Sequence, residues 1–260
     1  MKEDDKRPFA THLEELRNRL IKSFVAVGVG FVLSYAFKEK LFQILTAPLM
    51  SAMEAGETLI YTNLPEAFFT FLKTAFLSGI MLASPVILYQ FWMFTAPGLY
   101  HKEKRLLLPI VFLSSFFFIG GALFGYFIVF PWGFKFFLGF ASETVRPLPS
   151  MREYLSFSSK LLLAFGLVFE LPLVITFLAR LGLVSIEFLK KNRKYALLLF
   201  FAGAAILTPP DVVTQVMMAL PLMVLYEISI IGARVFGKKQ AGTDDVEPKE
   251  EDNSSSLQKS

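Results

Sequence analysis

The chain has 260 residues, of which 54% are hydrophobic, and its mean hydropathy of +0.54 and 30 phenylalanines indicate an integral membrane protein rather than a soluble domain. It contains no cysteine and only two histidines, which excludes a disulfide framework or a thiolate metal site and argues against a histidine metal centre. The net charge of +4 is small, so the placement of the charges is more informative than their sum.

The N-terminal segment MKEDDKRPFATHLEELRNRL is charged and predicts a cytoplasmic amphipathic helix over residues 1–19. Thr11 and Glu14 have the spacing of a capping box, which predicts that the helix begins at Thr11. Glu15 and Arg19 are spaced as an ordinary i,i+4 ion pair, so a solvated helix is an alternative to a binding site here. The segment resembles neither a signal peptide nor a transit peptide, which favours a bacterial or archaeal inner membrane.

Residues 20–236 predict an all-α membrane domain of six spans. The fifth span has only thirteen residues, about 20 Å of helix, whereas a bilayer core is about 30 Å thick. We therefore expect the fifth and sixth helices to form a short hairpin that deforms the adjacent lipid. Prolines 85, 172 and 221 fall inside spans and predict kinks. The spans are Leu20–Phe37, Phe68–Phe94, Leu106–Phe130, Phe157–Ala179, Tyr195–Leu207 and Val212–Gly232.

The basic residues outside these spans predict the orientation. Eighteen lie in the two termini and the second and fourth loops, against five in the remaining loops. The positive-inside rule therefore places both termini in the cytoplasm. Lys22, Lys73 and Lys160 lie near span ends, where their side chains can reach the interface. Residues 237–260 are polar and acidic and predict a disordered cytoplasmic tail.

Two further stretches contain candidate functional residues. In PVILYQFWMFTAPGLYHKEKRLLLP, Glu103 is the only acid of a basic cytoplasmic loop, although the aromatic residues also fit an interfacial belt. In AFGLVFELPLVITFLA, Glu170 is the only charge, and a carboxylate in a span is a candidate functional group. GALFG, Gly121–Gly125, is a GxxxG motif and predicts close helix packing. No catalytic set can be assembled, so we expect no enzyme, no cofactor and no metal.

Four motifs, in this order and on six spans, resemble the TatC family, the multispanning core subunit of the twin-arginine protein translocase. They are THLEELRNRL, SPVILYQFWMFTAPGLYHKEKR, AFGLVFELP and LTPPDVVTQ, and the resemblance covers roughly residues 8 to 236. It implies a receptor for twin-arginine signal peptides of folded cargo proteins, which recruits small single-span subunits (TatA/TatB type) into a multimeric complex in the bacterial inner membrane. Export would draw on the proton-motive force, and no nucleic acid is expected as a partner.

The resemblance also implies roles for particular residues. Signal-peptide binding falls on Glu15, Arg17, Phe94 and Glu103, and the guanidinium groups of an arginine pair suit bidentate carboxylates. The family's fold is concave and glove-like, with Glu170 facing its hollow as a contact for lipid or a partner. Thr208 and Gln215 map onto a docking site for the small subunits.

Two more residues have structural interpretations. Asp211 is expected to cap the sixth helix, and Pro48 is expected to shape the first outer loop. The main rival function is a proton-coupled small-solute transporter that uses Glu170, and a third is a structural membrane scaffold. The absence of a convincing internal repeat disfavours the transporter.

Overall fold

The computed structural model describes residues 7–54, 56–95, 107–142, 144–207 and 212–236. These residues form α-helices joined by short connections, with no β-strand among them. One π-helical segment, Gly125–Val129, lies between α4 and α5. The helices are α1 (Arg7–Tyr35), α2 (Lys38–Met50), α3 (Glu66–Thr95), α4 (Leu107–Phe124), α5 (Phe130–Leu138), α6 (Met151–Phe169), α7 (Leu171–Arg180), α8 (Ile186–Lys191), α9 (Arg193–Leu207) and α10 (Val212–Phe236).

Helices lie in each of the six expected spans, namely α1, α3, α4 with α5, α6 with α7, α9 and α10. Among the described residues, four stretches are long and apolar enough to cross a membrane, and the number is five if α1 and α2, which are bent by 89° relative to each other, count as one span. The helix α9 has only 15 residues, which agrees with the short fifth span. In contrast, α10 has 25 residues, so the expectation of a short sixth helix is wrong. The four stretches are Glu66–Thr95, Leu108–Leu138, Met151–Arg180 and Val212–Phe236.

The first helix and the first loop differ from the expectation. Because α1 begins at Arg7, Thr11 lies within the helix and is not its N-cap. From Arg7 onward, the N-terminal segment and the first span are therefore one continuous helix. Pro48 lies inside α2 and is buried, so the loop expected there is helical. A proline near the last turn is tolerated when its ring packs against neighbours and the helix ends soon after it.

The expected kink at Pro172 is a break in the helix. A turn at Glu170 separates α6 from α7, because Pro172 has no N–H to continue the hydrogen-bond ladder. By contrast, α3 and α10 continue as helices through Pro85 and Pro221.

Glycines allow the closest helix crossings. A Cβ on Gly30 of α1 would lie 2.6 Å from the carbonyl oxygen of Gly79 on α3. A Cβ on Gly121 of α4 would lie 2.5 Å from the carbonyl oxygen of Phe165 on α6. The packing predicted for GxxxG is therefore confirmed, whereas the crossing of α1 and α3 was not expected from the sequence. The helix α7 packs mainly against α10.

The loops at the start of α3 and of α6 are joined by Glu66. Its Oε2 accepts hydrogen bonds from the backbone N–H and hydroxyl of Thr62, at 2.8 and 3.0 Å. Its Oε1 accepts from the hydroxyl of Ser150 at 2.8 Å and from the N–H of Arg152 at 3.1 Å. Ile60 and Ser150 form an isolated parallel β-bridge beside this carboxylate. This end of the bundle is therefore fixed across a long sequence separation.

Candidate functional site

The N-terminal turns of α1 lie against the last turns of α3. The rings of His12 and Phe94 stack with centroids 4.4 Å apart and an interplanar angle of 19°. Arg19 lies two turns after His12 on α1, and its Nη1 donates a hydrogen bond at 3.4 Å to Oε1 of Gln90, one turn before Phe94 on α3. These contacts bring together two segments that the sequence presents as separate candidates.

Glu15 is held on this surface by Arg19. Both Nε and Nη2 of Arg19 donate to the same carboxylate oxygen, Oε1, at 3.0 and 2.5 Å. Within the described residues, the other oxygen, Oε2, accepts no hydrogen bond. The Glu15 side chain keeps 35% of its surface exposed, against 17% for Arg19. The i,i+4 ion pair considered as an alternative is therefore present, yet it occupies only one of the two carboxylate oxygens.

Two other residues implied for this site are less constrained by the structure. Arg17 is exposed on α1, and no ion pair with another described residue involves it. Glu103 lies outside the described residues, as does the rest of the loop after Thr95. The structure therefore brings Glu15 and Phe94 to one surface and leaves the position of Glu103 open.

Glu170 lies at the end of a buried hydrogen-bond chain through three helices. The indole Nε1 of Trp92 on α3 donates to Oγ of Ser114 on α4 at 3.0 Å. The Ser114 hydroxyl donates in turn to Oε2 of Glu170 at 2.5 Å. The second carboxylate oxygen, Oε1, is buried and has no hydrogen-bond partner in the described chain.

Apolar side chains surround this carboxylate. Trp92 packs edge-on against Phe177 with centroids 4.9 Å apart, in a cluster with Leu88, Val111 and Phe118. Glu170 is only 7% exposed. In the single chain it therefore does not face an open hollow, because Ser114 holds it between α3 and α4. Its hydrogen-bond partner among the described residues is the side chain of Ser114.

The hairpin of α9 and α10 is joined by polar contacts at both ends. The Gln215 side-chain amide donates to the carbonyl oxygen of Phe201 at 2.9 Å. Near the other end, Nη2 of Arg193 pairs with Oε2 of Glu227 at 2.7 Å. Gln215 is half-buried, so its amide donor serves the hairpin itself. Thr208 and Asp211 lie outside the described residues.

Sequence reasoning missed several residues of these sites. Ser114 and Trp92 have no distinguishing pattern, since serine is common in spans and tryptophan at their ends. His12 was counted only to exclude a metal site. Glu66 could have been found, because Asn63 and Glu66 have the spacing of a capping box.

Comparison with known proteins relates the chain to one family. The family model described as Sec-independent protein translocase protein (TatC) matches residues 11–221. The chain is 69% identical to the protein of that name from Desulforapulum autotrophicum, over 92% of this chain and 88% of the relative. It is 40% identical to the Escherichia coli K12 protein, over 91% and 92%. A crystal structure of a twin-arginine translocase receptor TatC superposes with a TM-score of 0.78 at 43% identity, covering 86% of this chain and 98% of that one.

Proposed function

The chain belongs to the TatC family of Sec-independent protein translocase proteins, and from this premise we propose that it is the receptor for twin-arginine signal peptides. It is a multi-pass membrane protein and a non-enzymatic component of a protein translocase. The observation that carries the receptor proposal is the surface where α1 meets the end of α3. It presents Glu15 and Phe94 together at the end of the bundle from which the basic loop leaves.

The geometry of Glu15 suits an incoming guanidinium. A carboxylate fully engaged by its own arginine would have to lose that partner before binding another. Here Arg19 uses one oxygen of a side chain that is 35% exposed, and Oε2 remains for a charge-assisted hydrogen bond with the peptide. We propose that Arg19 and Gln90 hold Glu15 in place, while Glu103 supplies the second carboxylate from the loop. The exposed cation of Arg17 would disfavour non-specific basic peptides at the same surface.

Other parts of the membrane domain would serve the steps after peptide binding, which are subunit recruitment and export. We place the recruitment of small single-span subunits at the α9–α10 hairpin, with Thr208 and Gln215 as polar contacts. Glu170 is assigned to a step after recognition, because its unpartnered Oε1 can accept a hydrogen bond from a partner helix once the helices move. The proton-motive force would drive export, with both termini in the cytoplasm.

The test measures the binding of a twin-arginine peptide to the full chain in membranes, with a Lys-Lys peptide as reference. Glu15→Ala should weaken binding about tenfold or more, since a charge-assisted hydrogen bond contributes roughly 1.5–3 kcal/mol. Glu14→Ala is the matched control, because Glu14 is an exposed neighbour on the same helix. Glu170→Leu should bind the peptide normally and fail in the export of folded cargo from the same membranes.

Equal losses of peptide binding in Glu14→Ala and Glu15→Ala would show that the general negative charge of α1 attracts the peptide. The receptor proposal for this surface would then be wrong. Wild-type export by Glu170→Leu would remove the later role proposed for that residue.

A further inference from the structure

A large cavity lies between α3 and α6, near the end of the bundle fixed by Glu66. Its volume is about 870 Å³, within the range of small-molecule pockets. Lys73 on α3 and Arg152 and Lys160 on α6 line its walls. All three side chains are exposed, and none forms an ion pair in the described part of the chain.

The lining residues follow the helical period on both sides. On α3 the spacing from Phe69 through Lys73 to Phe76 keeps one face toward the cavity, and on α6 Arg152 and Lys160 are two turns apart. The cavity is therefore lined by one face of α3 and one face of α6, and its basic residues come from both helices.

The only carboxylate in the lining is already engaged. Glu66 accepts hydrogen bonds on both oxygens from Thr62, Ser150 and Arg152, and in the last case the donor is the backbone N–H. It therefore offers little compensation to the side-chain cations. Three positive groups facing one such carboxylate leave the walls with a net positive charge.

The cavity changes character with depth. Lys73 lies seven residues after the start of α3, about 10 Å along the helix. In a helix long enough to cross the whole bilayer, this depth corresponds to the boundary between headgroups and hydrocarbon. Long basic side chains at that depth extend toward the headgroups. Further in, the walls are apolar and include Phe76, Ile80 and Leu163.

We propose that this cavity binds an anionic phospholipid, with its phosphodiester between Lys73, Arg152 and Lys160 and an acyl chain along Phe76, Ile80 and Leu163. Basic pockets between transmembrane helices bind anionic headgroups, and the apolar inner wall distinguishes a lipid from a free anion. In the proposed orientation the site belongs to the outer leaflet, opposite the peptide-binding surface. The site does not depend on the receptor role.

The experiment is native mass spectrometry of the full chain with equal amounts of phosphatidylglycerol and phosphatidylcholine. Wild type should retain phosphatidylglycerol preferentially, and the double variant Lys73→Gln/Lys160→Gln should lose that preference by about tenfold or more. Lys73→Arg/Lys160→Arg should keep it, since both charges remain. Lys135→Gln is the matched control, because Lys135 is an exposed lysine on α5 outside the cavity.

Several outcomes would overturn the proposal. Equal retention of the two lipids by wild type, or a preference unchanged in the double Gln variant, would exclude the site. An equal loss of the phosphatidylglycerol preference in Lys135→Gln would show that the positive charge of the protein as a whole attracts the lipid. Displacement by glycerol phosphate as effective as displacement by lipid would identify a free-anion site. A polypeptide retained by wild type and lost from the double Gln variant would place a partner helix there.

Discussion

Ser114 is the residue on which two other buried polar groups depend. Its hydroxyl accepts from the Trp92 indole and donates to Glu170, and it is fully buried on α4. Burial makes an unpaired polar group costly, so one hydroxyl stabilises a donor and an acceptor on two other helices. Its contribution is therefore larger than that of a serine bonded within its own helix.

Ser114→Ala should destabilise the fold because it leaves the Trp92 indole and both Glu170 oxygens without partners. Each unsatisfied buried group costs about 1–3 kcal/mol. The measurement is the free energy of unfolding in mixed micelles. Ser115→Ala is the control, since the Ser115 hydroxyl donates only to the Val111 carbonyl one turn earlier. A Ser114→Ala variant as stable as Ser115→Ala would contradict the role given to this hydroxyl.

The sequence predicts Glu170 as a candidate but not its environment. A lone carboxylate in an apolar run stands out because of its desolvation cost. Its partners come from α3 and α4, more than fifty residues earlier, and depend on how the helices rotate about their axes. Helical periodicity within one segment does not contain that information.

At the scale of the helices, the position of a glycine determines where two helix axes come closest to each other. Gly120 and Gly121 are neighbours on α4, yet only Gly121 faces α6. A methyl group at Gly121 would overlap the Phe165 carbonyl, whereas a Cβ at Gly120 meets nothing within 4 Å. The same Gly→Ala substitution can therefore be compared at a packed position and at an open one.

Gly121→Ala should destabilise the packing of α4 on α6 by about 1–3 kcal/mol, the usual cost of overpacking. Gly120→Ala should be neutral or slightly stabilising, because alanine favours helix over glycine by roughly 0.5–1 kcal/mol. Thermal unfolding of the two variants in one detergent checks both. A similar loss of stability in the two variants would contradict the role given to the crossing at Gly121, because helix propensity favours alanine at both positions.

Helix ends were predicted less well than helix presence. Pro172 correctly indicated a discontinuity after Glu170, since a missing N–H is a local property of the sequence. Pro48 misled the prediction, because a proline in a short segment between spans is typical of a loop, and here it packs inside α2. Burial against neighbouring helices overrides the local preference in such cases.

For the molecule as a whole, charge asymmetry is the basis of the proposed topology. The connections that precede α3 and α6 carry few basic residues, whereas the segment from Arg180 to Lys194 carries five. The chain is free of cysteine, so single cysteines report position without a background signal. Three exposed leucines suit this purpose: Leu64 is 92% exposed, Leu148 68% and Leu183 70%.

In intact cells, Leu64→Cys and Leu148→Cys should react with an impermeant thiol reagent, and Leu183→Cys should react only after the membrane is permeabilised. The reason is that the basic connection containing Leu183 remains cytoplasmic. Labelling of Leu183→Cys in intact cells would contradict the orientation with both termini inside.

The proposed peptide site could be predicted only in part. The family motifs in the sequence indicated Glu15 and Phe94, and the structure places their helices in contact. Arg19 also donates a hydrogen bond to Gln90, which lies within a family motif but to which the sequence assigned no role. Such details arise from packing between helices that are seventy residues apart in the chain.

The Glu66 junction has a consequence for biosynthesis. Its donors at Ser150 and Arg152 lie 84 and 86 residues later in the chain. At roughly 5–20 residues per second, the ribosome needs about 4–17 s to supply them. During that interval α3 is already made, while the carboxylate at its first turn has only Thr62 and Asn63 as partners. A nascent chain stalled before Ser150 therefore leaves this end of the bundle open, and closure is timed by the emergence of α6.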